Sequence, residues 1–476
     1  MFRITSVSYV STFPKLSKRL IPKLIKSPVL FCTSCHHRSP PQQRYYTAVA
    51  MTANTQKPIL ISGAGLASLL FAQGLLRAKI PFRIFERDSS LITRSQGYRL
   101  RLSSEGLDAI ESVLGPEGFK KFWDVCGKTG GAGFAALNAL TGEIIKDDGP
   151  KPPQPSTPTL SPPNPDLPKV LKESLVSRGG QIVGIARGDM RKQFIEGVEE
   201  FIDWGHQVVG YELTESGVQA IFADGSKSIE GELLVGGEGI YSRIADQVSG
   251  GKLKVFDTGA RGIHGQAPTT AFKQLGEGVW RMADDTRPNG KAFVITNVRS
   301  GDMDNENIQF GWTMGAQPGV INPPNDDYTI TGAVAADIAK SITANWHPRV
   351  KPLFEQMNIE EAAFWKITCS NPSGVPEWTN EPRVTVIGDA AHSMTPAGGI
   401  GANTAVQDSA LLSRLLAESG GKVDGVTAAY EKGMRVYGSK AVATSYGLAK
   451  GQFGVEIDEE STATIRRPFS LKKLSN

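Results

Sequence analysis

The first chemical signal in the chain is a pair of glycines spaced to receive a phosphate. Gly63-Ala64-Gly65-Leu66-Ala67-Ser68 follows a short apolar run at residues 58–62 and opens a stretch with helical spacing at residues 66–78. Gly63 permits a tight turn and Gly65 lets backbone approach a pyrophosphate. The amides of Leu66, Ala67 and Ser68 open a helix whose N-terminus favours negative charge. Ser68 takes the place of the third glycine of the usual spacing and is small enough for close helix–strand packing. Glu86 stands twenty-three residues after Gly63, at the end of a second apolar run, with Arg87 following it. A carboxylate there accepts a hydrogen bond from a ribose 2′-hydroxyl. Together these residues predict a dinucleotide site and leave open which dinucleotide it holds.

A second constellation narrows the choice. Gly388-Asp389-Ala390-Ala391-His392 ends the apolar run at residues 383–387. Thr395-Pro396-Ala397-Gly398-Gly399-Ile400-Gly401-Ala402-Asn403 then leads into a helix expected over residues 404–418. A carboxylate at a strand end can hold a polyol hydroxyl, and free amides at a helix N-terminus bind an electron-rich oxygen. A reduced flavin carries negative charge over N1 and the C2 carbonyl, so such amides would stabilise it.

These two motifs resemble those of the flavoprotein monooxygenases of the p-hydroxybenzoate hydroxylase fold, which include salicylate hydroxylases and tetracycline-inactivating monooxygenases. The resemblance covers most of residues 58–435. It implies bound FAD, with Asp389 on the ribityl chain. Gly398, Gly399, Gly401, Ala402 and Asn403 would then face the isoalloxazine, with Pro396 also binding the cofactor. It also implies a cation near the FAD phosphates or ring, supplied by Arg191 or by Arg187. The stretch Gly97-Tyr98-Arg99-Leu100-Arg101 would pass the flavin, its arginines serving FAD or the phosphate of an incoming nicotinamide cofactor. One departure stands out. The family's middle motif reads roughly ADG..S..R, whereas this chain has Gly237-Glu238-Gly239-Ile240-Tyr241-Ser242-Arg243-Ile244-Ala245. Glu238 and Tyr241 are the candidate catalytic side chains, although the flavin itself carries the chemistry.

The activity that the resemblance implies is monooxygenation. NAD(P)H would reduce the flavin, O2 would add at C4a, and the hydroperoxide would pass one oxygen atom to a small organic substrate, aromatic or phenolic. Epoxidation and Baeyer–Villiger insertion remain alternatives, as does NADH against NADPH. Two rival readings are an FAD oxidoreductase without oxygen transfer and a flavin-binding protein that has lost catalysis.

The elements that must position these motifs follow in order. Residues 58–62, 66–78 and 82–85 read as a βαβ start. A helix is expected over residues 189–202, strands over residues 208–211 and 218–222, and a hairpin turn at Asp224-Gly225. Residues 292–298 and 308–314 read as antiparallel strands, and residues 383–387 return to a buried parallel strand. The expected fold is α/β. A Rossmann-like FAD-binding domain (58–127, 187–250 and 366–435) is interrupted by a mixed, largely antiparallel β-sheet substrate domain (128–186 and 251–365). C-terminal helices close the chain, with 436–476 as a separate segment. Nine prolines between Pro150 and Pro168 exclude helix or central strand there.

Charge and composition exclude other classes. The 476 residues carry a net charge of +4, but residues 1–57 hold nine of the 52 basic residues and no acidic one, leaving 43 against 48 in the body. A body of that balance makes a poor nucleic-acid binder. The leader has the composition of a mitochondrial transit peptide; the alternative is a true start at Met51 and a cytoplasmic protein. Its Cys32, Cys35 and His36 match a haem-attachment pattern by coincidence. No stretch reads as a transmembrane helix. His206, His264, His347 and His392 are too scattered to bind a metal. His392 is read as part of its turn, and Cys126 and Cys369 as buried thiols. Trp280, Phe293, Phe310 and Trp312 are read as core before pocket lining.

Overall fold

The computed structural model describes residues 56–91, 99–130, 134–145 and 177–465. The leader motif, Gly97 and the proline-rich stretch lie outside the described residues. The chain opens with β1 (Ile59–Ser62), α1 (Leu66–Ala78), β2 (Phe82–Glu86), β3 (Arg99–Leu102) and α2 (Ser104–Val125). Next come β4 (Gly127–Gly130), β5 (Phe134–Asn138), β6 (Ile144–Ile145), β7 (Gln181–Ala186) and α3 (Arg187–Ile195). They are followed by β8 (Ile202–Trp204), β9 (Val208–Leu213), β10 (Val218–Phe222), β11 (Leu233–Gly236) and α4 (Arg243–Val248). Then come β12 (Val255–Pro268), β13 (Gly278–Asp284), β14 (Ala292–Val298), β15 (Gln309–Ala316), α5 (Ala333–Ile342) and α6 (Pro352–Glu355). The chain ends with β16 (Ala363–Ser370), β17 (Val384–Val386), α7 (Asp389–His392), α8 (Gly401–Glu418) and α9 (Val426–Phe453).

Five parallel strands form one sheet in the order β17-β11-β1-β2-β8. All four residues of β1 are buried, as a strand covered on both faces requires. Helices α1 and α8 pack so closely that a Cβ on Gly74 would come within 2.4 Å of the Ser413 Cβ. The Ser409 hydroxyl also donates to the Ala67 carbonyl at 2.8 Å. The expected α/β fold is therefore present, with β1, α1, β2 and α8 within a few residues of their expected spans.

Seven strands form a second sheet in the order β16-β12-β15-β14-β13-β5-β6, antiparallel except where β13 meets β5. One face packs on α5 and α6 around Trp312, Phe310, Trp346 and Leu353. Trp312 donates its indole N–H to the Leu353 carbonyl at 3.1 Å. Strands β3, β7 and β4 form a small third sheet, and β9 and β10 a two-stranded fourth.

The turn expected at Asp224-Gly225 is present, folding the chain after β10 back onto antiparallel bridges at Lys227 and Gly231, while a separate turn at residues 214–217 joins β9 to β10. Two expectations need correction. The helix expected to reach residue 202 ends at Ile195, because Gly197 takes φ +82° and the chain turns into β8, the edge strand beside β2. Finally, α9 runs unbroken through residue 436, so the chain carries no element break there. Its Gly438 packs against the His392 ring, and Tyr430 donates to the Val386 carbonyl at 3.0 Å.

Candidate functional site

A cavity of about 590 Å³ opens where the parallel sheet, the small sheet and the seven-stranded sheet meet. Its first wall is the turn from β1 into α1. Gly63 has φ +86°, and a Cβ there would come within 2.8 Å of the Gly237 carbonyl oxygen. Glycine is therefore required twice over, by conformation and by space. Ala64 is held from both ends. Its N–H donates to Glu86 Oε2 at 2.6 Å, and its carbonyl accepts from Arg191 Nε at 3.0 Å. Glu86 Oε1 accepts from the Asp88 amide at 2.9 Å. The carboxylate at the β2 terminus thus braces the glycine turn while lining the cavity.

Gly65 tells a different story. A Cβ there would meet only the Gly237 oxygen, at 3.7 Å, so no protein atom demands glycine. Its backbone is extended (φ −76°, ψ 177°), and it caps α1 without a side-chain hydrogen bond. The space a Cβ would fill belongs to the cavity, beside the free amides of a helix N-terminus. That arrangement fits a pyrophosphate.

The opposite wall comes from the β17–α7 turn and the start of α8. Asp389, Pro396, Gly399, Gly401 and Ala402 line the cavity, and α8 also begins with no side-chain cap. Arg101 reaches this loop from β3 and donates to the Gly398 carbonyl at 2.6 Å. Arg99, Arg187 and Arg191 line the same cavity, as do Leu66, Ala67, Arg87, Glu238 and Tyr241.

The seven-stranded sheet supplies the remaining wall: His264, Thr313, Trp365, Lys366 and Thr368. His264 stacks on Trp365 with ring centroids 4.9 Å apart and planes 11° from parallel. Its Nδ1 lies 3.1 Å from the Thr313 hydroxyl. Burial pushes the imidazole down to about 3, so it stays neutral throughout the physiological range. Lys366 is neutralised by Asp257 at 3.3 Å and Asp326 at 3.0 Å.

The FAD binding domain family matches residues 196–445, more than half of the chain. The chain belongs to the FAD binding domain family. It is similar to the dual O-methyltransferase/FAD-dependent monooxygenase CTB3 of Cercospora beticola, 26% identical over 453 residues, covering 86% of this chain and 48% of that protein. The FAD-dependent monooxygenase thnD of Trichoderma harzianum is 25% identical over 387 residues, covering 75% of this chain and 82% of that protein. Klebsiella pneumoniae HpxO, solved with FAD and uric acid, shares the fold with a TM-score of 0.62 at 17% identity, over 83% of this chain and 89% of that one. The chain spans about half the length of the first curated relatives it matches.

Membership of the FAD binding domain family makes FAD the cofactor, and both glycine-bearing turns line the same cavity. Three residues expected at the cofactor stand behind the wall instead. Ser68 is fully buried and packs on Gly237, where a Cβ would approach its hydroxyl to 2.2 Å. Gly398 lies off the cavity surface, its carbonyl occupied by Arg101. Asn403 is a strut: it accepts from the Ser103 amide at 2.8 Å and donates to the Arg101 and Gly399 carbonyls at 2.9 and 3.1 Å. Glu238 has a second duty that the sequence does not reveal. It accepts from the Ser242 hydroxyl at 2.8 Å and from the Ile244 amide at 3.3 Å, bracing the start of α4.

His392 is no general base. It is the last residue of α7 and lies buried, its Nε2 2.7 Å from Asp408 Oδ2. Asp408, missed in the sequence, is a hub that also accepts from the Gly388 amide at 2.6 Å and the Tyr437 hydroxyl at 2.7 Å. Its signal was a carboxylate on the inward face of α8. His264, Thr313 and Trp365 were missed as a group; the alternation of small and polar residues along β12 was the available clue. Trp280, Phe293, Phe310 and Trp312 lie in the core and none lines the cavity. Among the described residues no helix is long and apolar enough to cross a membrane, and no cluster of His, Cys, Asp and Glu could hold a metal.

Proposed function

We propose that the protein is an FAD-dependent monooxygenase that uses NAD(P)H and O2 to place one oxygen atom on a small aromatic or phenolic substrate. The observation that carries this reading is the continuity of one cavity. It runs from the phosphate-binding turn at Gly63–Ala67, past the α8 N-terminus, to the His264, Thr313 and Trp365 wall of the second sheet. A site serving only to store a dinucleotide would not need that last wall. Bound FAD supplies what the chain lacks, accepting electrons from the nicotinamide and delivering activated oxygen.

The chain's own groups hold and orient. The amides at the start of α1 and the braced carboxylate of Glu86 suit the pyrophosphate and the adenosine ribose. Asp389 suits a ribityl hydroxyl. The amides of Gly399, Gly401 and Ala402 suit an electron-rich ring oxygen. On the substrate side the Trp365 and His264 rings offer a flat apolar surface that excludes water, which suits an aromatic plane. The neutral His264 imidazole, with Nδ1 fixed by the Thr313 hydroxyl, can exchange a hydrogen bond with a phenol without adding charge. Similarity to curated FAD-dependent monooxygenases of fungi supports the same reading. The test is a panel of phenolic compounds screened for stimulated NADPH oxidation, with product mass as readout. Stimulation with a product one oxygen heavier is expected. NADPH oxidation that yields only peroxide with every compound would overturn the choice of substrate class.

A further inference from the structure

Asp408 is a fully buried carboxylate on α8 that meets donors from two other helices and a turn. Its Oδ2 accepts from the Gly388 amide at 2.6 Å and lies 2.7 Å from His392 Nε2. Its Oδ1 accepts from the Tyr437 hydroxyl on α9 at 2.7 Å. The first two contacts fall at the two ends of one element. Gly388 is the N-cap of α7 and His392 its last residue, so a single carboxylate oxygen ties both ends of that helix to α8. With only four residues, α7 makes too few backbone bonds to hold its own shape. The turn before it is also confined by packing. Gly388 has φ +62°, and a Cβ there would stand 3.2 Å from the Ala67 Cβ on α1 and 3.6 Å from the Ala405 Cβ on α8.

The tie acts on one end of the cavity. Asp389, the first residue of α7, lines it, as do Gly401 and Ala402 at the start of α8. Asp408 lies two turns further along α8, about 10 Å from that end by the rise of a helix. One rigid helix therefore presents amides to the cavity and, deeper in the fold, the carboxylate that sets Asp389. Packing alone would be better served there by an apolar side chain, because burying a carboxylate is costly. What the carboxylate adds is direction: an amide, an imidazole and a phenol each meet one of its oxygens. Burial, and after it the Asp408 charge, pushes the Tyr437 phenol upward, so it remains a donor.

We infer that Asp408 is a positioning residue for the flavin: by tying both ends of α7 to α8, it fixes the Asp389 side chain and the α8 amides as one unit. The inference rests on the reading that Asp389 serves the ribityl chain, and it is independent of oxygen transfer. The adenosine end is built separately, on Gly63, Gly65 and Glu86, and that separation supplies the test.

The full-length protein is freed of flavin and titrated with FAD and with ADP, which occupies only the adenosine end. The reloaded protein is then examined by visible circular dichroism of the flavin. Asp408→Ala should weaken FAD about ten- to a hundred-fold, as loss of a hydrogen bond to a charged group implies, with ADP affinity held within about twofold. Asp408→Asn, whose amide oxygen can still accept from Gly388, should recover part of the FAD affinity. His392→Ala cuts only the far tie and should weaken FAD about two- to tenfold with ADP unchanged. It decides the matter where Asp408→Ala does not fold. In both alanine variants the flavin dichroism should weaken, because the ring is held in a less defined orientation. Equal losses of FAD and ADP would make Asp408 a part of general packing and overturn the inference. So would unchanged FAD affinity, or unchanged flavin dichroism, in the alanine variants. Asp389→Ala should show the same FAD-selective loss, and an unchanged FAD-to-ADP ratio there would instead refute the placement of the ribityl chain.

Discussion

Replacing Glu86 by alanine separates two roles that the sequence folds into one residue. A ribose contact alone would affect only the flavin-loaded protein. The structure adds two backbone amides, Ala64 and Asp88, that donate to this buried carboxylate at 2.6 and 2.9 Å. Orphaning a buried donor costs about 1–3 kcal/mol, so losing both bonds spans roughly 2–6 kcal/mol. Water from the adjoining cavity can re-solvate part of that loss, which places the expectation at about 2–3 kcal/mol. At roughly 2 °C per kcal/mol for a chain of this size, the apoprotein should melt about 4–6 °C lower. The assay is thermal unfolding of flavin-free protein, paired with titrations of FAD and FMN. FAD affinity should fall further than FMN affinity, because FMN has no adenosine ribose for this carboxylate. An unchanged apoprotein Tm would refute the bracing role. Equal losses for both flavins would refute the ribose role.

The paired glycines give a second contrast. Gly65→Ala should leave apoprotein stability within about 0.5 kcal/mol, since nothing crowds that position, yet weaken FAD; Gly63→Ala should destabilise even the apoprotein by about 1–3 kcal/mol through its positive φ. Equal behaviour of the two variants in melting and flavin titration would contradict this. His392 should impose a pH slope on stability. Burial opposes its charge but the Asp408 carboxylate outweighs that effect, so its folded pKa is raised. Its stabilisation is therefore full below the unfolded value of about 6.5 and lost as pH rises through the folded one. His392→Gln should flatten that fall in Tm as pH rises above about 6.5, and an identical slope would remove His392 as its source. Burial pushes the Cys126 and Cys369 thiols up to about 12. In a Cys32→Ser, Cys35→Ser background, native protein at about pH 8 should resist a disulfide reagent until unfolded. Rapid labelling of the native state would contradict their burial.

The sequence revealed most clearly what local geometry dictates. Gly63, Gly65 and Glu86 declared themselves because a tight turn, a close approach and a strand-end carboxylate each demand a residue type at a fixed spacing. The parallel strands were legible as short uninterrupted apolar runs, and α1 by its flanking glycine and charge. What stayed hidden depends on partners distant in the chain. Asn403 sits beside motif glycines, but its amide is consumed by Arg101 and Ser103, about three hundred residues away. The stacking of His264 on Trp365 depends on strand register between β12 and β16. The same register sets Gly262 opposite Trp365, leaving room for the indole. The surroundings of Arg99 could not be read from the sequence at all. Only the fold brings Arg299, Asp189 and Asp302 near its charge and sets Gly127 and Gly184 against its guanidinium.

The central claim is oxygen transfer by a flavin site, and heavy-isotope O2 tests it most directly. The holoprotein would be supplied with NADPH, an accepted aromatic substrate and O2 labelled with the heavy isotope, and the product analysed by mass. The account expects one heavy oxygen atom per product molecule, derived from O2 and not from water. Product formed without label, or with label arriving from heavy water instead, would contradict it and leave an oxidoreductase that only moves electrons.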